Sequence, residues 1–469
     1  MRKLFLGRSA AGLVVGLVFL GSSARADDAN AGATPANLIP NGDFQKGEAG
    51  ELPKGWTLGS ARPCLAPVFK LVETDEGRLL MGTGGGNPDC VGHVQTAVPI
   101  TLGRTYRFRV LFRISDDLNP QEHLLFQCFG PGARNGIFDF RRLEGGWVEG
   151  DAKIHYPGEG DGEAEVRILY RLNPHGKVWV RNISLEEADP VEPRWVKVAC
   201  TRGLTSLEDC RAVLDAAGKA GVDLLLLPEY MQGGLKPEAV PGPSSELMSA
   251  KAKEHGMYVA GGIVRIDEKN DRLFNTALLY DRQGNLVGTY DKLHPYSPEL
   301  NEQGITPGTR VPVFQTDFGT VAFMICYDSW FTDVAELAAL KGAELILFPS
   351  AGYYRSLMPA RAADNCVRIV ASSWNSGYGV WDTVGREVLA PEADPTHKPV
   401  QGVTFKDAVE TQVGPIGVLM ATLDLNSSPS PAYNGGTMYS APGGKRSRRE
   451  QKVYLDDEIT KERARWWTE

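Results

Sequence analysis

The chain has 469 residues, with 42% hydrophobic residues, 23% charged residues and a formal net charge of −8. That length points to more than one domain, and the composition is ordinary for a soluble globular protein. The negative charge, together with the lack of a basic stripe inside any predicted folded segment, argues against a nucleic-acid-binding protein.

The first part of the chain, residues 1–26, has the pattern of an export signal peptide. A positively charged start is followed by a short apolar core at residues 13–20 (LVVGLVFL), and residues 24–26 (ARA) fit a small-x-small cleavage site. The apolar core is too short to cross a bilayer comfortably. The sequence therefore predicts cleavage near Ala26, release into the periplasm or outside the cell, and no stable membrane insertion.

After a small and polar linker at residues 27–39, the chain changes to short alternating segments. Within residues 40–188, stretches such as residues 105–112 (TYRFRVLF) alternate apolar and polar side chains and are separated by Gly and Pro. This period of two, without long helical patterns, predicts an all-β sandwich domain.

The opening of this region, NLIPNGDFQKGEAGELPKGW, resembles the start of jelly-roll modules of the galactose- and carbohydrate-binding type. The likeness depends on residues 41–44 (NGDF) and on Gly55 and Trp56. It implies a jelly-roll fold, while sugar binding and a plain packing or dimerising role both stay open.

Seven cysteines are present, and an odd number leaves at least one thiol unpaired within the chain. There is no CxxC pair and no Cys/His cluster at metal-ligand spacing, so the sequence predicts no metal site. Cys64 and Cys90 both lie in loop-rich sequence, which makes them a candidate disulfide.

Beyond the Pro-rich boundary at residues 190–193, strands alternate with helices, the pattern of an α/β domain. Residues 195–200 predict a strand, 206–220 a helix and 222–227 a buried strand. Two stretches, AGKAGVDLLLLPEY and AALKGAELILFPSA, share one order of helix, Gly, apolar run and Pro. We infer two similar halves, at about 194–291 and 312–392, that form two sheets packed face to face with helices outside.

Three polar residues each follow an apolar strand in this region. Glu229 is either a general base in a dry environment or a surface carboxylate just past its strand. Lys292 is either a solvated amine or an ammonium held near a reacting carbonyl. Cys326 is either an inert core thiol or a nucleophile, and a helix predicted over 332–341 would lower the pKa of its thiol.

These residues lie in stretches similar to the nitrilase superfamily of carbon–nitrogen hydrolases: LLLLPEY, YDKLHPY, GTVAFMICYDSWF, GAELILFPSA and ARAADN. The resemblance implies a four-layer α-β-β-α sandwich over residues 194–430, followed by a C-terminal extension at 431–469. It also implies no cofactor, a tendency to form homo-oligomers, and a catalytic set of Glu229, Lys292 and Cys326.

A fourth acid of the family pattern is assigned to Glu302 rather than Glu299, because Glu302 lies closer to the turn at Pro307 and Gly308. The pair Tyr327 and Asp328 resembles amidase and carbamoylase branches more than nitrile-cleaving ones.

The expected function is cleavage of a non-peptide, amide-like C–N bond in a small molecule, through a thioester on Cys326. Lys292 and the backbone N–H of Tyr327 would stabilise the oxyanion, with Glu302 in support. Two alternatives stay open: an N-acyltransferase that uses the same thioester, and a surface or carbohydrate-binding protein with an inactive hydrolase-like domain. Aromatic residues at the predicted strand ends are candidates for the substrate pocket: Tyr230, Trp330 and Tyr353, with Tyr354 and Trp374.

Overall fold

The computed structural model describes residues 36–131, 133–137, 140–203, 206–388 and 405–427. The predicted signal peptide, most of the predicted linker and the predicted C-terminal extension lie outside these residues, so those assignments stay predictions. Within the described ranges, no helix combines the length and the apolar character that crossing a bilayer requires.

Residues 57–188 form two antiparallel sheets. Their elements are β1 Thr57–Gly59, β2 Val68–Thr74, β3 Gly77–Thr83, β4 Val91–Thr101, β5 Thr105–Ile114, α1 Pro120–His123, β6 Leu124–Gly130, β7 Ala133–Ile137, β8 Phe140–Arg142, β9 Trp147–His155, β10 Asp161–Arg171 and β11 Lys177–Ala188, with short 3-10 turns at Pro63–Leu65 and Glu144–Gly146. The strand order among the described residues is β1-β4-β10-β6-β7 in one sheet and β2-β3-β11-β5-β9-β8 in the other.

The predicted alternation explains how these two sheets meet. Every second residue of β10 is buried, and Val166 and Ile168 share one hydrophobic core with Phe108 and Val110 of β5 in the other sheet. The side chains that alternate with these buried residues point away from the core. The all-β character expected of residues 40–188 is therefore present in the described part, whereas the jelly-roll class and sugar binding stay predictions.

The chain then alternates between strands and helices. The elements are β12 Trp195–Arg202, α2 Leu207–Lys219, β13 Leu224–Leu226, β14 Pro237–Glu238, α3 Pro243–His255, β15 Tyr258–Asp267, β16 Arg272–Tyr280, β17 Leu286–Asp291, α4 Ser297–Asn301, β18 Val313–Gln315, β19 Thr320–Phe323, a 3-10 helix Cys326–Trp330, α5 Asp333–Leu340, β20 Leu345–Ser350, α6 Leu357–Asn365, β21 Arg368–Ser373, β22 Gly379–Trp381, β23 Phe405–Val413 and β24 Ile416–Asp424. Helix α2 begins where the sequence predicts, because the Ser206 side chain caps it by accepting from the Asp209 N–H at 3.1 Å.

The two halves each supply a set of parallel strands. In the first half β12, β13 and β15 are parallel neighbours, and β16 and β17 continue the sheet antiparallel. In the second half β19, β20 and β21 are parallel neighbours. The two sets pair in parallel where Arg202 lies opposite Ser373, and the Gly203 N–H donates to the Ser373 carbonyl oxygen at 3.1 Å. Strand β24 runs antiparallel along β12.

Burial along β13 shows how the layers stack. Leu224 and Leu226 share a core with Ile346 of the second half, whereas Leu225 lies in a separate cluster with Val213 of α2. Side chains of α5 and α6 lie in the same core as Leu224 and Ile346. Successive residues of a strand point to opposite faces, so α2 packs on one face of β13 and the second half packs on the other. The four-layer order that the resemblance implies stays a prediction. The α/β prediction for this region is confirmed in the described residues.

The candidate disulfide is wrong. All seven cysteines lie within the described residues and all are free thiols. Cys64 is exposed in the 3-10 turn, whereas Cys90 is buried and its thiol donates to the carbonyl oxygen of Asn173 at 3.5 Å. The loop-rich sequence around both residues does not indicate that one cysteine is exposed and the other buried.

Candidate active site

The three predicted residues follow strands that end at one edge of the α/β domain. Glu229 comes three residues after the end of β13, Lys292 directly follows β17, and Cys326 begins the 3-10 helix after β19. The turn at Glu229 lies tightly against β15, because a Cβ atom on Gly262 would come within 2.8 Å of the Glu229 Cα. All three side chains line one cavity of about 760 Å³.

Lys292 lies between two carboxylates. Its Nζ is 2.8 Å from Glu229 Oε1 and 2.7 Å from Glu299 Oε2. Asn275 of β16 closes the group, since its Nδ2 donates to Glu229 Oε1 at 2.5 Å and to Glu299 Oε1 at 2.7 Å. All four side chains are buried, so the charges depend on one another for stabilisation. We call these four residues the Lys292 cluster.

The surroundings of Lys292 and Glu299 keep both side chains ionised. Burial opposes the charge on Lys292, but the neighbouring carboxylates, Glu229 first and then Glu299, outweigh that effect and raise its pKa above the usual value. Burial likewise disfavours the charged form of Glu299, yet the Lys292 ammonium and several hydrogen bonds hold the Glu299 pKa below its usual range. At neutral pH the amine is therefore a fixed positive charge and cannot act as a proton acceptor.

Cys326 has an unusual backbone conformation. Its φ is 45°, in the left-handed region that a non-glycine residue seldom adopts, and such residues cluster at functional sites. Its Sγ donates to the carbonyl oxygen of Gly352 at 3.3 Å. The strained turn thus fixes where the sulfur points, at the wall of the cavity.

The thiol is harder to ionise than the sequence predicted. Burial, followed by the negative charge of Glu229, raises the pKa of Cys326 to about 12, and Lys292 only partly opposes this. The expected lowering of this pKa by a helix N-terminus is wrong: α5 begins at Asp333, close to its predicted start, but burial and the Glu229 charge decide the direction of the shift. The Cys326 thiol is therefore neutral at physiological pH and needs a base to become a nucleophile.

Asp328 connects the Cys326 turn to the segment that carries Lys292. Its buried carboxylate accepts from the Ile325 N–H at 2.9 Å, from the Tyr290 hydroxyl at 2.7 Å and from the His294 N–H at 2.9 Å. One side chain thus sets the spacing between the thiol and the ammonium. From the sequence, Asp328 was noted only because it resembles the residue at this place in amidases and carbamoylases, and its structural role was not predicted.

The assignment of the fourth acid to Glu302 is wrong in position. Glu302 is exposed at the end of α4, whereas Glu299, earlier in α4, points into the Lys292 cluster. Helix geometry is the reason: Glu299 is the third residue of α4, and its Oε2 accepts from the Tyr296 N–H at 2.7 Å. A Glu three residues after the N-cap residue, here Tyr296, commonly accepts a hydrogen bond from the N-cap backbone N–H.

The two acids offer a matched pair of substitutions. We expect Glu299→Gln to lower kcat by about tenfold or more, because it removes a charged partner of the buried ammonium. Glu302→Gln should stay within about twofold of the unchanged protein, since it alters an exposed side chain. Steady-state kinetics on one amide substrate measures both. Equal losses for the two variants would contradict the assignment to Glu299.

The cavity walls carry all five aromatic residues that the sequence singled out for the substrate pocket. Tyr230, Trp330 and Tyr353 all line it, as do Tyr354 and Trp374. The Tyr230 hydroxyl donates to Glu299, and its ring lies 6.2 Å from that of Trp374. Tyr327 also lines the cavity, and the role of its backbone N–H stays a prediction.

Sequence reasoning missed Asn275. It is fully buried in the middle of β16, and its backbone oxygen also accepts from the Lys292 N–H at 2.9 Å. A signal was present, because an Asn within a strand that is otherwise mainly apolar needs hydrogen-bond partners when it is buried. Without a fold, the sequence could not indicate that those partners would be two carboxylates.

One group of side chains away from the cavity has the composition of a metal site. Asp215, Glu254 and His255 place their ligand atoms within 4.8 Å of one another. However, the Lys251 ammonium lies 2.5 Å from Asp215 Oδ1 and 2.8 Å from Glu254 Oε2. These carboxylates therefore already have a cation between them, and the group is an ion-pair network between α2 and α3.

Comparison with protein families gives one match. Residues 198–386, which include Glu229, Lys292 and Cys326, match the family model described as carbon-nitrogen hydrolase.

Among curated proteins, the chain is similar to omega-amidases. It is 31% identical over 185 residues to omega-amidase NIT2-B of Xenopus laevis, which covers 35% of this chain and 66% of that protein. It is 30% identical over 182 residues to omega-amidase NIT2 of Danio rerio, covering 34% of this chain and 65% of that protein. The chain thus spans slightly less than two thirds of the length of these relatives.

Among solved structures, an amidase from Nesterenkonia sp. has a TM-score of 0.38 with 22% identity, covering 49% of this chain and 90% of that chain. Nit3 of Saccharomyces cerevisiae, described as a member of branch 10 of the nitrilase superfamily, has a TM-score of 0.41 with 22% identity, covering 50% of this chain and 93% of that chain.

Proposed function

We propose that residues 198–386 form a carbon–nitrogen hydrolase domain of the nitrilase superfamily and that the protein hydrolyses the C–N bond of a non-peptide amide. The match of these residues to the carbon-nitrogen hydrolase family model supports this proposal. The proposed nucleophile is Cys326, the proposed general base is Glu229, and Lys292 is the proposed electrostatic catalyst. Similarity to relatives named omega-amidases supports an amide rather than a nitrile as the substrate.

One observation carries the proposal. The Lys292 ammonium touches Glu229 at 2.8 Å in a buried position, and the thiol of Cys326 lines the same cavity. Such a site combines a nucleophile, a proton acceptor and a fixed positive charge in a place with little water. Buried charges of this kind are expensive to maintain for packing alone, which favours a chemical role.

The first half-reaction begins at the neutral thiol. Glu229 accepts the proton of Cys326 as the sulfur attacks the amide carbon, so no free thiolate has to form in advance. The carbonyl oxygen becomes an oxyanion beside Lys292 and the backbone N–H of Tyr327. When this intermediate collapses, the C–N bond breaks, Glu229 returns the proton to the departing nitrogen, and the acyl group stays on sulfur as a thioester.

The second half-reaction releases the acid. Glu229 removes a proton from a water molecule as its oxygen attacks the thioester carbon, and Lys292 again faces the oxyanion. The C–S bond then breaks, the sulfur recovers a proton from Glu229, and the carboxylic acid leaves. Glu299 holds the ammonium in place through both steps, and Asn275 holds the carboxylates of Glu229 and Glu299.

The two alternatives receive less support. Cys326 and the three charged members of the Lys292 cluster all line one cavity, which argues against an inactive scaffold. Acyl transfer to an amine would follow the same first half-reaction and differ only in the molecule that attacks the thioester.

A panel of primary amides, carbamoyl compounds and nitriles tests the proposal, with ammonia release as the readout. We expect ammonia and the matching acid from amides, and a faster reaction with amides than with nitriles. Addition of hydroxylamine should divert part of the acyl group to a hydroxamate, because the thioester can be trapped. Release of ammonia from none of these compounds would contradict the proposed function.

A further inference from the structure

The mouth of the cavity carries a continuous row of aromatic rings. Tyr296, Tyr327, Trp330 and Tyr354 all line it, and the centroids of consecutive rings lie 5.4, 6.1 and 5.0 Å apart. We call these four residues the aromatic rim. Tyr296 is 51% exposed, Trp330 49% and Tyr354 62%. Large exposed aromatic surfaces in one place are typical of a site that binds another molecule.

The aromatic character continues below the aromatic rim. Tyr230, Tyr353 and Trp374 line the deeper wall, and Tyr230 and Tyr353 are buried. The cavity thus presents flat apolar faces from its mouth to the level of the thiol. Its volume of about 760 Å³ is large enough for one ring and a short linker to the reacting amide.

The charges of the cavity favour one kind of ligand. Of the lining residues in the described part of the chain, Lys292 alone is a lysine or arginine, and it is already held by Glu229 and Glu299. Two carboxylates against one ammonium give the Lys292 cluster a negative balance. A ligand carboxylate would lose its water, meet no uncommitted cation in this lining, and be repelled by the two acids.

We infer that the substrate is an amide whose non-reacting end is a flat ring without negative charge, which stacks on the aromatic rim. The inference rests on the proposed function, because it assigns a substrate class to the same site. An enzyme with this preference differs from an amidase that binds a carboxylate at the non-reacting end of its substrate.

Three primary amides test the inference: 3-phenylpropionamide, its para-carboxylate analogue, and propionamide. We expect kcat/KM for 3-phenylpropionamide to exceed that of each of the others by about tenfold or more. Trp330→Ala and Tyr354→Ala should each lower the ratio of phenylpropionamide to propionamide by about fivefold to tenfold. Leu337→Ala, which removes an exposed apolar side chain of α5 outside the cavity lining, should leave that ratio unchanged.

A gain of function tests the charge argument separately. Gln303 lines the cavity and is exposed, so Gln303→Lys would place a free ammonium at the mouth. We expect it to raise the ratio of the para-carboxylate substrate to 3-phenylpropionamide by about tenfold. Gln303→Met, of similar size and without charge, is the matched control and should not raise that ratio.

The outcomes separate the two proposals. If ammonia is released from propionamide but the carboxylate substrate is preferred, or the rim variants leave the phenyl-to-propionamide ratio unchanged, the substrate class is wrong and the proposed function stands. If none of the three amides is hydrolysed while another compound of the wider amide, carbamoyl and nitrile panel releases ammonia, the substrate class alone is wrong. If no compound of that panel releases ammonia, the proposed function fails and this inference fails with it.

Discussion

Cys326→Ala is expected to abolish amide hydrolysis, with a fall in kcat of about 10⁴-fold or more, because the covalent step has no other nucleophile. The thioester should disappear as well. Mass spectrometry of protein quenched in acid during turnover should show the acyl group on the peptide that contains Cys326, and no such adduct in the variant. Amide hydrolysis and adduct formation thus report on the same sulfur atom by independent means.

The matched control is Cys210→Ala. Cys210 is also buried, in α2, but lies in the cluster on the helix side of the first sheet. Its loss should lower the free energy of unfolding by about 1 kcal/mol and leave the kinetics nearly unchanged. Urea denaturation of both variants shows whether each is folded. A folded Cys326→Ala protein with near-normal kcat would remove the thiol from the mechanism.

Lys292→Met is expected to lower kcat by about 10²- to 10⁴-fold, because the oxyanion loses its facing positive charge. The same change leaves Glu229 and Glu299 in a buried site without their common cation. Removing one member of a buried ion pair typically destabilises a protein by about 3–5 kcal/mol. The prediction therefore needs a control that separates lost chemistry from lost folding.

The double variant Lys292→Met/Glu299→Gln supplies that control. It leaves one buried carboxylate instead of two, so we expect part of the lost free energy of unfolding to return. If Lys292 acts in the chemistry, the double variant regains stability in urea but stays as slow as Lys292→Met. Recovery of kcat together with stability would instead show that Lys292 has only a structural role.

The strand pattern was sufficient to predict the α/β domain and to place three candidate functional residues at strand ends. Buried apolar runs fix where strands form, and their ends must meet at the sheet edge. The sequences around Glu229, Lys292 and Cys326 therefore indicated one site before any coordinates. The contacts among these side chains could not be predicted from the sequence, because each distance depends on how β13, β17 and β19 are arranged in space.

The errors have physical causes at particular residues. In the sequence, proximity to a turn favours Glu302 over Glu299. In the structure, the rotation of the short helix α4 decides which of the two side chains points inward. The pKa of Cys326 was expected to fall because a helix follows. Burial and the nearby Glu229 charge, which only the folded chain supplies, raise it instead. Neither helix rotation nor burial depth can be read from residue spacing alone.

The left-handed backbone at residue 326 has a further consequence. Glycine occupies that conformation with little strain, so backbone stability alone would favour glycine at this position. Under the proposed mechanism, the same change would abolish the reaction, since glycine has no side chain that can attack the substrate. Backbone stability and the proposed reactivity therefore favour different residues at position 326.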